Sequence, residues 1–227
     1  MAGTMVEFEA NGGRSCSGYL AKPEERRGPG VVVVQEGWGL VGHIKDVAAR
    51  LAREGFVAVA PDLYRGATTR NPDDAAKMRM ALDIADAGKD LRGAAQYLLA
   101  LGEVEPRKVG VIGFCMGGQL ALFAACEHPD VLSAAVDFYG IHSKVDLRVE
   151  RLRGPVQAHF GKRDKGVPPD QARALVKRIE QAGKTIEAHF YDAEHAFFND
   201  QRPEVYDRRS AQQAWERTLA FLRRTLT

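Results

Sequence analysis

Lys108-Val109-Gly110-Val111-Ile112-Gly113-Phe114-Cys115-Met116-Gly117-Gly118-Gln119-Leu120 reads as a buried strand, a tight turn and a helix. Lys108 to Ile112 is short, apolar and β-branched, as a strand covered on both faces should be. Gln119 to Cys126 is apolar nearly all round, as a helix packed inside a protein should be. Between them stands Gly-x-Cys-x-Gly, a nucleophile elbow with cysteine in the nucleophile's place. The residue at such a tip takes a strained conformation, so side chains two before and two after it would collide. Gly113 and Gly117 remove those side chains, and Gly118 lets the helix approach the sheet.

The elbow's surroundings agree with it. Val31 to Val34 is a second buried strand, followed by Ile44, Val47, Ala48, Leu51 and Ala52 at helical spacing up to Gly55. Phe56 to Ala60 is the next strand, ended by Pro61. Asn71-Pro72-Asp73-Asp74 starts a helical stretch running to about Leu99, with Gly88 as the expected division between two helices. Strands follow at Leu132 to Tyr139, Gly154 to Phe160 and Thr185 to Tyr191, with helices at Pro169 to Ala182 and around Trp215 and Leu222. Met5 to Glu9 and Ser17 to Ala21 flank Asn11-Gly12-Gly13, a hairpin signal, and Pro23 to Gly30 reads as a connector. Alternating strands and helices predict an α/β fold, a mostly parallel sheet with helices on both faces. Residues 1–227 read as a single domain.

Composition narrows the function. The 227 residues are 45% hydrophobic and 27% charged, as in folded rather than disordered chains. A net charge of +2 gives no electrostatic case for nucleic acid. No apolar run approaches the length that spans a bilayer, and Met1 to Ala10 lacks a signal-peptide core, so the expectation is a cytoplasmic protein. The 3 cysteines are not closely paired, which argues against a disulfide framework or a zinc site. Cys16 and Cys126 read as buried apolar cysteines.

In such folds chemistry collects in loops at the strands' C-terminal ends. Here those loops hold Glu36-Gly37-Trp38, then Cys115, then Asp164, then His195. The order nucleophile, acid, histidine is that of the α/β-hydrolase fold. His195 would take the thiol proton and later activate water, and Asp164 would fix its tautomer. Asp137 and Asp192 are rivals to Asp164, the first inside a strand and the second very near His195 in sequence. Glu36 is read as facing Cys115 and managing its proton, since a thiol beside a carboxylate holds its proton more readily. The amides of Gly37 and Met116 would form an oxyanion hole.

Two other readings compete. Gly37-Trp38-Gly39-Leu40-Val41-Gly42, with Asp62 20 residues past Gly42, spells a dinucleotide fingerprint. Glu36 would repel a pyrophosphate there, and the elbow would go unexplained. The other is a redox-sensing thiol at Cys115, which would need neither His195 nor Asp164.

With these residues assembled, the chain resembles the dienelactone hydrolase family of α/β-hydrolases. The resemblance rests on Gln35-Glu36, Pro61-Asp62-Leu63-Tyr64, the elbow from Gly113 to Gly118, Tyr139-Gly140, Asp164, and His195-Ala196-Phe197. It implies a monomer without metal or organic cofactor that hydrolyses enol-lactones or other carboxylic esters through an acyl-thioester. The family's Cys-Asp-His triad then falls on Cys115, Asp164 and His195, and its regulatory glutamate on Glu36. Family members grip a substrate carboxylate with two arginines and a serine. The serine position holds Ala196 here and one arginine position holds Asn199, while Arg79 is a candidate for the other arginine. That departure, with Trp38, Tyr64, Phe197 and Phe198 in the site loops, points to a more apolar pocket. Trp38, Tyr64, Arg79 and Phe198 are the expected substrate contacts.

Overall fold

The computed structural model describes residues 3–10, 12–24 and 27–227. Its strands are β1 (Thr4–Ala10), β2 (Arg14–Ala21), β3 (Gly28–Val34), β4 (Val57–Pro61), β5 (Val104–Phe114), β6 (Ala134–Phe138), β7 (Val156–Gly161) and β8 (Ile186–Tyr191). They form one sheet in the order β1-β2-β4-β3-β5-β6-β7-β8. All pairings from β4 to β8 are parallel, and the β1–β2 hairpin adds antiparallel strands at one edge. This is the mostly parallel sheet that the alternating pattern predicts, in the α/β-hydrolase architecture that the family resemblance implies. Asn11 of the expected hairpin turn, and Glu25 and Arg26 of the connector, lie outside the described residues. β3 begins at Gly28, inside the stretch read as connector.

The helices are α1 (Gly42–Arg53), α2 (Pro72–Ala81), α3 (Ile84–Ala100), α4 (Met116–Glu127), α5 (Pro169–Gln181) and α6 (Arg208–Leu226). β3 shows why both sheet faces are covered. Val32 and Val34 pack with Leu91, Leu98 and Leu120 of α3 and α4, while Val31 and Val33 pack with Ile44, Leu51 and Leu222 of α1 and α6. A continuous apolar run is what a strand buried on both faces needs.

Gly88 does not divide the helical stretch. The break is at Leu82-Asp83, where the Asp83 carboxylate accepts from the Asp86 amide at 2.9 Å and caps α3. Gly88 lies inside α3, where a Cβ would stand 2.9 Å from the Phe123 ring of α4, so its small size serves helix packing. Asn71 caps α2 as its sequence suggests, accepting from the Asp73 and Asp74 amides. Of the α2 side chains only Ala75 is buried. Among the described residues no helix is long and apolar enough to cross a membrane.

The chain turns from β3 to β4 on one side and reaches β5 on the other, so the ends of β3 and β5 flank the switch point of the sheet. Glu36 follows β3 and Cys115 follows β5. The ends of β6, β7 and β8 continue the same rim.

Candidate active site

Cys115 stands between β5 and α4 with φ 53° and ψ −123°. A non-glycine residue there costs about 1–3 kcal/mol and persists only where its surroundings enforce it. The enforcement is visible around it. The Cys115 amide donates to the Phe138 carbonyl at 2.9 Å, and its carbonyl accepts from the Gly118 amide at 2.9 Å. A Cβ on Gly113 would strike the Gly117 carbonyl, one on Gly117 the Gln35 and Val34 carbonyls, and one on Gly118 the Asp137 carboxyl group. Gly117 is thus needed for the approach of α4 to the end of β3, rather than for the turn alone. Cys115 is half-buried, whereas Cys16 and Cys126 are buried. Burial pushes the Cys16 thiol up to about 11 and the Cys126 thiol up to about 12, which keeps both inert.

Asp164 and His195 meet because the loops after β7 and β8 are laced together. The Lys162 amide donates to the Tyr191 carbonyl at 2.7 Å and the Arg163 amide to the Ala193 carbonyl at 3.0 Å. Asp164 is buried. Its Oδ1 accepts from the Gly166 and Val167 amides, each at 2.7 Å, and its Oδ2 lies 2.7 Å from His195 Nδ1. Nδ1–H therefore donates to Asp164, leaving Nε2 for other work. Burial opposes a charged His195, but Asp164, through its hydrogen bond and charge, and the neighbouring Cys115 outweigh it, raising its pKa from 6.5 to about 10. The Tyr139 ring stands 5.2 Å from the imidazole, edge to face.

The rival acids are otherwise engaged. Asp192 is exposed and pairs with Arg163 at 2.9 Å. Asp137 is fully buried, its Oδ1 accepts from the Gly140 amide at 2.7 Å, and burial holds its carboxyl well above the usual range. His159, also fully buried, is held by Tyr191, Gln157 and Thr218.

A cavity of about 460 Å³ opens over Cys115 and His195. Its walls include Met80, Met116, Ile141 and Val167, with Arg79, His142, Ser143 and Gln171 as polar groups. Of the four expected contacts, Arg79 lines this cavity, and Trp38, Tyr64 and Phe198 do not. Phe198 is 2% exposed and packs among Phe114, Phe138 and Trp215, so it is a core residue. Phe197 is likewise buried. Trp38 lies under the Arg202 guanidinium, 5.4 Å from ring centre to cation, away from the cavity. The Tyr64 hydroxyl lies 3.4 Å from the Met116 sulfur, and the residue lines a separate cavity of about 360 Å³. The apolar side chains on the cavity wall are therefore Met80, Met116, Ile141 and Val167 with Tyr139, rather than the loop aromatics, and Arg79 adds a cation. Ile141, His142, Val167 and Gln171 carried no signal, because the loops that hold them reach the cavity only through tertiary packing.

Glu36 is buried, and its Oε2 accepts from Asn199 Nδ2 at 2.9 Å. No hydrogen bond joins it to Cys115 among the described residues, and Oε1 has no partner. Burial raises its pKa, with the His195 charge, the Asn199 hydrogen bond and the Arg202 charge working the other way. The residues of the dinucleotide fingerprint serve the chain itself. Gly39, at φ 91°, has no room for a Cβ beside Ala67 and Thr68, and Asp62 caps the Tyr64 and Gly66 amides at 3.1 and 2.6 Å. Among the described residues no cluster of histidine, cysteine and carboxylate side chains suits a metal ion.

The sequence profile of the dienelactone hydrolase family matches residues 16–226. The chain belongs to this family. It is 38% identical to protein usf of Aquifex pyrophilus, over 99% of this chain and 100% of that one. It is 33% identical to the carboxymethylenebutenolidase of Pseudomonas sp. strain P51, over 96% of this chain and 94% of that one. The crystal structure of a putative dienelactone hydrolase from Klebsiella pneumoniae superposes with a TM-score of 0.84 at 30% identity, covering 97% and 98% of the two chains. The protein is a dienelactone hydrolase-like enzyme, a hydrolase on the α/β-hydrolase fold.

Proposed function

We propose that the enzyme hydrolyses a carboxylic ester or lactone through an acyl-thioester on Cys115, with His195 as general base and acid and Asp164 as its orienter. The observation that carries this reading is the 2.7 Å contact between His195 Nδ1 and Asp164 Oδ2 beside a strained, accessible Cys115 in one cavity. With the Cys115 proton held on His195 Nε2, the sulfur bonds to the substrate carbonyl carbon as the C=O π electrons move onto oxygen. His195 then returns the proton to the departing alkoxide or enolate oxygen as the C–O bond breaks. Water next attacks the thioester, its proton passing through His195 to the sulfur, and the carboxylic acid leaves.

Met116 opens α4, so its amide has no carbonyl to donate to within the helix and is free for the oxyanion. Gly37 supplies the second amide from the β3 loop, the arrangement of the nucleophile elbow. Glu36 modulates the ionisation of this cluster through its charge. Arg79 brings a cation to the cavity, which suits a substrate with an acidic group despite Ala196 and Asn199.

The test is steady-state hydrolysis of a short-chain p-nitrophenyl ester and of a dienelactone, with mass spectrometry of the quenched enzyme. Turnover with an acyl group on the peptide carrying Cys115 is the expected result. Turnover that survives Cys115→Ala would overturn the scheme.

A further inference from the structure

Asn199 falls where the sequence suggested a missing substrate contact, yet it is 3% exposed and is not part of the cavity wall. Its amide has a fixed orientation. Oδ1 accepts from the Gln201 amide at 3.1 Å, so Nδ2 must face Glu36 Oε2, to which it donates at 2.9 Å. Glu36 is itself 1% exposed, and its other oxygen is buried without a partner. A buried carboxyl group satisfied at one oxygen only is costly in either protonation state. It persists where its place matters.

We propose that Asn199 is the positioning residue of Glu36: it ties Oε2 in place and leaves Oε1 as the oxygen on which the carboxyl gains or loses its proton. The inference rests on the thiol-regulating role of Glu36 proposed above. The groups around that carboxyl come from several elements. His195, after β8, is the cation felt most strongly, and Arg202 acts from the same loop as Asn199. The buried Tyr139 hydroxyl, after β6, has no partner and feels the charges of both Glu36 and Cys115. A neutral amide tether, unlike a guanidinium, favours the carboxylate only modestly. Glu36 is therefore tied in place without a fixed partner cation, and its charge state follows the charged groups around it.

The experiment is the pH profile of Cys115 alkylation by iodoacetamide in the full chain, for Asn199→Ala and the isosteric Asn199→Asp, each with and without Glu36→Gln. Losing the amide donor destabilises the Glu36 carboxylate, so its limb of the profile moves to higher pH by about one unit. Asn199→Asp moves it the same way by setting a second carboxyl group beside the first. Both shifts vanish in the Glu36→Gln background. If Glu36→Gln changes the profile while neither Asn199 variant does, or if their shifts persist without Glu36, the positioning role falls and the Glu36 reading stands. If Glu36→Gln leaves the profile unchanged, both fall. A raised KM with an unshifted profile would make Asn199 a substrate contact and overturn the proposal.

Discussion

The two sides of the cavity are built on different principles. On the floor, Cys115, Asp164 and His195 sit past the ends of three strands, and hydrogen bonds hold each position. Cys115 is pinned by Phe138 and Gly118, Asp164 by two loop amides, and His195 by Asp164. On the roof, Arg79 and Met80 come from α2, a ten-residue helix with one buried side chain, Ala75. Lys144 Nζ, from the loop after β6, donates to the Met80 carbonyl at 2.5 Å. Rigid strand ends suit groups that must meet to within a fraction of an ångström, and a lightly held helix suits a wall that decides what enters.

The comparison breaks first at the floor. Cys115→Ala should lower p-nitrophenyl ester turnover by roughly a thousandfold or more while the melting temperature stays near that of the parent, because the side chain is small and the backbone sets the turn. Comparable turnover in the variant would mean that the floor does not carry the chemistry.

Asp164→Asn should cost between roughly a hundredfold and ten-thousandfold in kcat, through loss of the correct imidazole tautomer. It also has a signature in stability. Burial opposes the His195 charge, but Asp164 and Cys115 raise its pKa from 6.5 to about 10. The folded state thus holds that proton more tightly than the unfolded chain. The stabilisation is complete below pH 6.5 and is lost as pH rises through about 10. Urea-unfolding midpoints measured against pH should show this decline, and Asp164→Asn should move it to lower pH. A decline at the same pH would detach Asp164 from His195.

Gly118→Ala tests whether packing or residue type makes the floor. Its Cβ would enter the Asp137 carboxyl group and also crowd the Gly140 backbone, so α4 must shift. A loss of about 1–3 kcal/mol in unfolding free energy is expected, together with impaired turnover. Unchanged stability would show that the helix approaches the sheet with slack.

The roof should respond least, and selectively. Arg79→Ala should raise KM roughly tenfold for an ester bearing a carboxylate, leave a neutral ester nearly unaffected, and change stability by less than about 0.5 kcal/mol. Equal effects on both esters would remove Arg79 as the contact for an acidic group.

How legible each part was follows the same division. Val31 to Val34, the elbow and the helix after it could be read because burial on both sheet faces and a steric turn act between residues adjacent in sequence. The misplaced helix break came from treating Gly88 as a stop signal. The tertiary contact with Phe123 explains that glycine, and the cap at Asp83 explains the break. The aromatic residues misled for a related reason. A loop position shows that a ring is near the site, but not which way it faces, and Phe197 and Phe198 turn into the core under α6.

The sequence by itself determined the order of strands and helices, the family, and the chemical types at the strand ends, because periodicity, glycine sterics and chain order are local properties. Only the tertiary structure decided that Asn199 turns from the cavity to Glu36, that Trp38 lies under Arg202, and that Arg79 reaches the cavity over Cys115. Those choices are made between segments far apart in sequence, where packing and the pairing of buried polar groups select one arrangement from many that the same residues allow.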